Sequence, residues 1–110
     1  MTRYLVATRA GSVIGMAAWG THVDIHMNLP TIYLSDLAVD PQARGSGAGR
    51  ALMVAMARIA LERGAVLRWG LWQGNASARA FYEALGAAVL DQDVDAMGLD
   101  GEALKALARG

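Results

Sequence analysis

The sequence has no cysteine, a single lysine at Lys105 and no long hydrophobic run. Without cysteine it has no disulfide framework, no thiol nucleophile and no thiolate zinc site. A membrane helix needs about 18 consecutive apolar residues, whereas the most apolar stretch, from Val13 to Trp19, is short and contains Gly15. The first residues, Met1 to Tyr4, lack the charged and apolar regions of a signal peptide. We therefore expect a cytoplasmic protein that has no membrane partner.

The length of 110 residues suits a single domain, spanning residues 1–110. The formal net charge is zero, but the charges are unevenly distributed. Residues 41–79 contain six arginines and only one acid, Glu62, whereas residues 81–101 contain five acids and no base. The basic block fits a polyanion, but the dense lysine and arginine cluster of a nucleic-acid surface is missing. We expect a phosphate-bearing small molecule and no nucleic-acid partner.

The hydrophobic pattern predicts a mixed α/β (α+β) fold with the element order β-β-β-α-β-α-β-β. Strands are predicted at 3–8, 12–19, 32–39 and 66–72, with weaker candidates at 87–90 and 94–99. Residues 20–31 are predicted to be a loop, and the strand at 66–72 is predicted to be internal because both of its faces are largely apolar. Helices are predicted between the glycine-rich stretch and Gly64, at 76–85 behind the cap residue Asn75, and at 101–109.

The glycine-rich stretch from Arg44 to Arg50 leads from a strand directly into a helix. Glycine lets backbone N–H groups approach a phosphate, and the helix N-terminus adds partial positive charge. A Walker loop is excluded because no lysine follows these glycines, and the dinucleotide fingerprint fails because its third glycine would fall on Arg50. A third pattern, Arg/Gln-x-x-Gly-x-Gly/Ala, is met by Arg44, Gly47 and Gly49. The alternative is a glycine-rich turn without a ligand.

Two segments resemble the motifs of the GNAT superfamily of N-acetyltransferases. Residues 39–53, VDPQARGSGAGRALM, are similar to its acetyl-CoA-binding motif. Residues 75–87, NASARAFYEALGA, are similar to its second motif, N-x-x-A-x-x-F-Y-x-x-L-G. The strand at 32–39 and the ending at 99–104 resemble the polyamine (spermidine/spermine-type or thialysine) acetyltransferase branch. The resemblance covers essentially the whole chain and implies a GNAT-like, mostly antiparallel mixed sheet with acetyl-CoA as cosubstrate.

The resemblance also implies which residues bind acetyl-CoA. In the family, the strand before the loop is bulged and its backbone holds the pantetheine arm, which here implies Leu37, Ala38 and Val39. The pyrophosphate lies on the loop amides, which here are those of Arg44, Gly45, Ser46, Gly47, Ala48 and Gly49, with Arg50 beginning the helix. Asn75 matches an asparagine that contacts the cofactor arm, although a pure helix-capping role is an equal alternative.

Two residues are implied to act in the chemistry. Tyr82 matches the family tyrosine that protonates the leaving thiolate, the alternative being a buried core tyrosine. The branch usually has a glutamate before the aspartate of its third strand, whereas this chain has Ser35 before Asp36. The family's base is therefore absent, and Asp36 is the nearest remaining carboxylate. We expect no metal site.

A further candidate segment is His22-Val23-Asp24-Ile25-His26. On a strand, His22, Asp24 and His26 would share one face, which suits a metal or a proton relay. In a loop the pattern carries little meaning. The matching loop of relatives borders the acceptor, so His22, Asp24 and Ser35 are candidate substrate contacts.

The chain departs from the family at its start, where members have one more strand and two helices. Against that pattern, the resemblance leads us to expect an N-terminally truncated fold. We expect an N-acetyltransferase that moves acetyl from acetyl-CoA to a primary amine, small or polyamine-like, by direct attack in a ternary complex. The alternative is a non-catalytic CoA-binding or dimerisation module. A homodimer is expected because relatives dimerise and because apolar surface would otherwise stay uncovered.

Overall fold

The computed structural model describes residues 1–24, 28–71, 74–90, 98–99 and 101–109. Its elements are strands β1 (Arg3–Arg9), β2 (Ser12–Asp24) and β3 (Leu29–Val39), a short 3-10 turn (Pro41–Ala43), helix α1 (Ala48–Glu62), strand β4 (Val66–Trp69), and helices α2 (Ala76–Ala84) and α3 (Gly101–Ala108). Among these residues, no helix is long and apolar enough to span a bilayer.

The four strands form one sheet in the order β1-β2-β3-β4. The pairs β1–β2 and β2–β3 are antiparallel, whereas β3 and β4 are parallel. The first hairpin turns at Ala10 and Gly11, both with positive φ, which suits a two-residue hairpin turn. The mixed α+β fold with a mostly antiparallel sheet agrees with the sequence prediction.

One side of the sheet is covered by α1, and the core lies between them. Four residues of the helix, Leu52, Met53, Met56 and Ala60, pack against four of the sheet, Ala17, Trp19, Ile32 and Leu34. The helix begins behind Gly47 and is followed by Gly64, both of which have the positive φ that favours glycine. The helix predicted between the glycine-rich stretch and Gly64 is therefore confirmed.

Two element predictions are wrong, the loop over residues 20–24 and the strand at 87–90. Residues 20–24 are not a loop, because β2 continues to Asp24 and pairs with the first residues of β3. Strand pairing outweighed the local loop signals there, and Pro30 itself lies within the ladder opposite Val23. Among the four described strands β4 is at the edge, and the prediction that it is internal stays a prediction, because most of the candidate strand at 94–99 lies outside the described residues. Residues 87–90 form no strand, and most of the candidate at 94–99 lies outside the described residues.

The other face of the sheet, here called the outer face, carries exposed apolar side chains. Along β1, the core-facing Leu5 and Ala7 alternate with exposed Tyr4 and Val6. The exposed fractions of Tyr4 and Val6 are 67% and 53%. Within the described residues, no helix packs on this face as extensively as α1 packs on the core side.

Candidate active site

The glycine-rich turn before α1 is exposed and leads directly into the start of that helix. Gly45 and Gly47 have φ of 80° and 89°, and a Cβ added at either would meet open space. The first N–H groups of a helix have no partner inside it. Within the described residues, no side chain caps this end and the first turn holds no acid. With exposed Arg44 and Arg50 beside it, this end suits phosphate.

Helix α2 packs against the start of α1 through Phe81. A Cβ added at Gly49 would lie 3.3 Å from Phe81 Cζ and 3.7 Å from Val39 Cγ2. The absence of a side chain at Gly49 therefore lets three segments meet: the end of β3, the start of α1 and the middle of α2. This contact fixes α2, and with it Tyr82, relative to the glycine-rich turn.

A bulge in β3 separates this strand from β4. Leu34 pairs with Trp19 and Asp36 pairs with Ala18, so the intervening Ser35 is an extra residue without a partner in the ladder. Its hydroxyl donates a hydrogen bond of 3.0 Å to the Ala18 carbonyl. Strand β4 pairs with β3 only as far as Leu34. A bulge bends a strand and increases its twist, which accounts for the divergence of the two strands.

Past the bulge, one edge of β3 has no strand partner among the described residues. This edge belongs to Leu37, Ala38 and Val39, whose other edge pairs with β2. Their backbone groups are therefore available to an extended ligand lying where β4 has diverged. They are the three residues for which the family resemblance implies pantetheine contacts.

Tyr82 lies on α2 beside the end of β4. Its ring centroid is 5.0 Å from that of Trp69 and 5.2 Å from that of Phe81. Burial raises the pKa of Tyr82 above its ordinary value, and the negative charge of Asp36 raises it further. The structure thus brings Tyr82 and the exposed Asp36 together, although they are 46 residues apart in the sequence. At neutral pH the phenol holds its proton.

Asn75 has the capping geometry that its position predicted. Its Oδ1 accepts a hydrogen bond of 3.2 Å from the backbone N–H of Ala78. The same oxygen accepts one of 3.4 Å from the Ser77 hydroxyl. An ion pair between Arg79 and Glu83, 2.7 Å long, supports the same helix on its exposed side. Asn75 therefore holds the first turn of the helix that carries Tyr82.

The candidate substrate residue His22 lies on β2 beside a depression of about 440 Å³. The depression is on the outer face and is also lined by Ser35, Thr21 and Tyr33. The His22 and Tyr33 ring centroids are 6.1 Å apart. Of the other candidates here, Asp24 ends β2, and His26 lies outside the described residues.

Sequence reasoning missed Tyr33 and Thr21 as site residues. The available signal was strand alternation, because an extended β2 pairs Gly20 with Tyr33 and brings His22 next to it. Reading residues 20–24 as a loop concealed this neighbourhood.

A bulged strand, an open strand edge, an uncapped glycine turn and a tyrosine on the following helix are thus brought together. The profile of the acetyltransferase (GNAT) family matches residues 2–87. The chain belongs to this family. The match includes the glycine-rich turn, Tyr82 and the whole of the four-stranded sheet.

A curated relative supports the same family, and two solved structures share the fold. The chain is 36% identical over 80 residues to thialysine N-epsilon-acetyltransferase of Bos taurus, over 70% of this chain and 47% of that protein. It matches an integron cassette protein from the mobile metagenome of V. cholerae with a TM-score of 0.87 and 27% identity, over 99% of this chain and 67% of the other. An aminoglycoside acetyltransferase from an uncultured soil sample shares the fold, with a TM-score of 0.78 and 21% identity, over 91% and 66%. The chain spans about half the length of the bovine relative and two thirds of the two structures.

Proposed function

We propose that this GNAT domain transfers an acetyl group from acetyl-CoA to a primary amine by direct attack in a ternary complex. The observation that carries the proposal is that the Tyr82 ring lies 5.0 Å from Trp69, which pairs with Leu34 on β3, two residues before Asp36. If the glycine-rich turn only connected β3 to α1, it would not require Tyr82 and Asp36 to lie close to each other. The thialysine and aminoglycoside acetyltransferases named above support an amine acceptor.

The residues present fit acetyl-CoA. The first N–H groups of α1, behind the exposed Gly45 and Gly47, suit the pyrophosphate, because no side chain caps them within the described residues. The backbone of Leu37, Ala38 and Val39 suits the amide-bearing pantetheine arm. When bound, acetyl-CoA supplies an acyl thioester that an amine can attack.

Asp36 is placed to help the acceptor lose its proton. An alkyl amine with a pKa near 10.4 is protonated at pH 7, and its deprotonation costs about 4.6 kcal/mol. A carboxylate in the site attracts the ammonium and accepts its proton, directly or through water. Asp36 faces solvent and lies one residue beyond the bulge, where an acceptor can reach it.

Tyr82 is placed to give a proton to sulfur. Its raised pKa keeps the proton on Oη at neutral pH. Transfer from a phenol of pKa near 10 to a thiolate whose thiol has pKa near 8.5 costs about 2 kcal/mol, and the raised pKa increases this cost. A hydrogen bond already made to sulfur offsets part of it.

The test is to mix the protein with acetyl-CoA and a panel of primary amines and to measure free thiol. Release that depends on the amine, together with the acetylated amine in a mass spectrum, supports the proposal. Stabilisation against heat by acetyl-CoA without thiol release for any amine contradicts it and supports a non-catalytic CoA-binding module. If acetyl-CoA neither stabilises the protein nor releases thiol, the result contradicts the proposal and supports a dimerisation module.

We also propose that the protein is a homodimer. The exposed Tyr4 and Val6 on the outer face are apolar surface of the kind that association covers. The radius of gyration is 16.6 Å, against about 13 Å for a compact domain of this length.

A further inference from the structure

The bulge in β3 places two successive side chains on the same face of the sheet. Leu34 belongs to the core, so the next residue, Ser35, points to the outer face. Asp36 is opposite Ala18, which lies between two core residues of β2, so Asp36 points to the outer face as well. In a regular strand the two side chains would point to opposite faces. The exposed Ser35 and Asp36 therefore form an adjacent pair of oxygen-bearing side chains.

The Ser35 hydroxyl is left to act as a hydrogen-bond acceptor toward a ligand. It donates its one proton to the Ala18 carbonyl at 3.0 Å, and its oxygen keeps its lone pairs. Because Ala18 is the residue opposite Asp36, this hydrogen bond ties the extra residue of the bulge to the level of Asp36 and fixes the direction of the hydroxyl. The ionised carboxylate of Asp36 also only accepts. Two acceptors thus lie side by side, and a ligand must supply the donors.

Tyr82 lies on the other side of the sheet from these two acceptors. Its side chain packs against the core, on the side of α1. Burial raises the pKa of Tyr82 and the charge of Asp36 raises it further, so the carboxylate lies close enough to act on the phenol. Beyond Leu34, β4 no longer pairs with β3. An amine that arrives from the outer face therefore meets Ser35 and Asp36 first, with the proton donor for sulfur on the opposite side.

A primary amine has the donors that the two acceptors require. In the proposed transfer the ammonium ion loses one proton, to Asp36 or to water, and keeps two N–H groups and a lone pair. The amine then forms its bond to the acyl carbon, the electron pair of the C–S bond leaves on sulfur, and Tyr82 gives its proton to that sulfur. The nitrogen loses a second proton to water as the amide forms, and Tyr82 recovers a proton from water. Two N–H groups directed at Ser35 and Asp36 leave the lone pair free for the attack.

We propose that Ser35 is a substrate-binding residue whose oxygen accepts one N–H of the attacking amine while Asp36 accepts the other, so that primary amines are preferred to secondary amines. This inference rests on the proposed acetyl transfer and assigns a residue that determines which acceptors that site takes. A secondary amine has a single N–H at the moment of attack, so it can satisfy only one of the two oxygens.

The first experiment compares n-butylamine with N-methylbutylamine at saturating acetyl-CoA. Ser35→Ala removes one acceptor, so kcat/KM for n-butylamine should fall about fivefold, the effect of one lost hydrogen bond. The value for N-methylbutylamine should change by less than about twofold, because its single N–H can bind Asp36. Ser35→Thr keeps the hydroxyl and suits a strand, so it should retain the parent ratio between the two amines. Ser12→Ala is the matched control, because Ser12 is another exposed serine of the sheet, beside the first hairpin turn.

The second measurement separates contact with the amine from a change in the bulge. Ser35→Ala should leave the alkaline titration of Tyr82, followed by phenolate absorbance, and the calorimetric Kd of acetyl-CoA unchanged, because Asp36 and the open edge of β3 stay in place. A ratio that Ser35→Ala leaves unchanged, an altered Tyr82 titration, or a Ser35→Thr variant as impaired as Ser35→Ala overturns the inference while leaving acetyl transfer intact. No turnover by the parent protein with any amine overturns both proposals.

Discussion

At the scale of single residues, Tyr82 is the most informative side chain. Its environment keeps the phenol protonated, and a donor in the site must be protonated to act. Tyr82→Phe removes that proton and keeps the ring against Trp69. We expect kcat to fall at least tenfold with the affinity for acetyl-CoA nearly unchanged, measured by thiol release and by calorimetry. Tyr4→Phe is the control, and a kcat within twofold of the parent protein would reject the acid role.

The same tyrosine predicts a dependence of stability on alkaline pH. Folding raises the pKa of Tyr82 above the unfolded value of 10.0, through burial first and the charge of Asp36 second. Above that value the unfolded chain loses this proton before the native state does, so the free energy of unfolding falls as pH rises. Tyr82→Phe should show a shallower fall in urea titrations at a series of alkaline pH values. If stability falls equally steeply with pH in the parent protein and in Tyr82→Phe, the raised pKa of Tyr82 is contradicted.

Asp36 should influence that phenol directly. Asp36→Asn removes the smaller of the two causes, so the pKa of Tyr82 should decrease but stay above its ordinary value. The measurement is the phenolate absorbance during titration, with Tyr82→Phe identifying the signal among the three tyrosines. Asp40→Asn is the matched control, because Asp40 is a second exposed aspartate near the end of β3 and is not among the causes of the shift. If Asp36→Asn leaves the titration unaltered, the charge of Asp36 does not contribute to the raised pKa of Tyr82.

At the scale of elements, the contact between Gly49 and Phe81 couples the glycine-rich turn to α2. Gly49→Val places side-chain atoms where Phe81 Cζ is 3.3 Å from a bare Cβ. Overpacking of this kind costs about 1–3 kcal/mol, and we expect a lower midpoint in thermal unfolding and weaker acetyl-CoA binding. Gly74→Ala is the control, since a Cβ at Gly74 meets open space. Adding Phe81→Leu should recover part of the loss, and strict additivity of the two changes would refute the coupling.

At the scale of the whole molecule, the uncovered outer face determines the expected assembly. We expect light scattering to give twice the chain mass of 11.6 kDa. Val6→Lys puts a charge among the exposed apolar side chains of β1 on this face and should yield monomers. Leu61→Lys is the control, because Leu61 is 80% exposed on α1, which packs on the opposite side of the sheet. A parent protein that is monomeric at millimolar concentration would refute the homodimer.

Sequence reasoning predicted the parts of the fold that depend on local chemistry. Gly64 and Gly86 have the positive φ that favours glycine after a helix C-terminus, and Asn75 caps α2 as its position predicts. Pairings between distant segments could not be predicted in the same way. The length of β2 depends on its partner strand, and the proximity of Asp36 to Tyr82 depends on how α2 packs against the sheet. The depression around Tyr33 was missed for the same reason.

The bulge in β3 also has a genetic consequence. Leu34 and Leu37 both lie on the α1 side although they are three positions apart, because Ser35 adds one residue to the strand. Removing that one codon would leave Leu34 opposite Trp19 and Leu37 opposite Ala17, so the pairing and the core would both survive. We therefore expect an in-frame deletion of Ser35 to leave the chain folded and to remove the opening between β3 and β4 that the proposed activity needs. A family member that lost this codon would remain well folded and recognisable by sequence, yet its β3 would no longer diverge from β4.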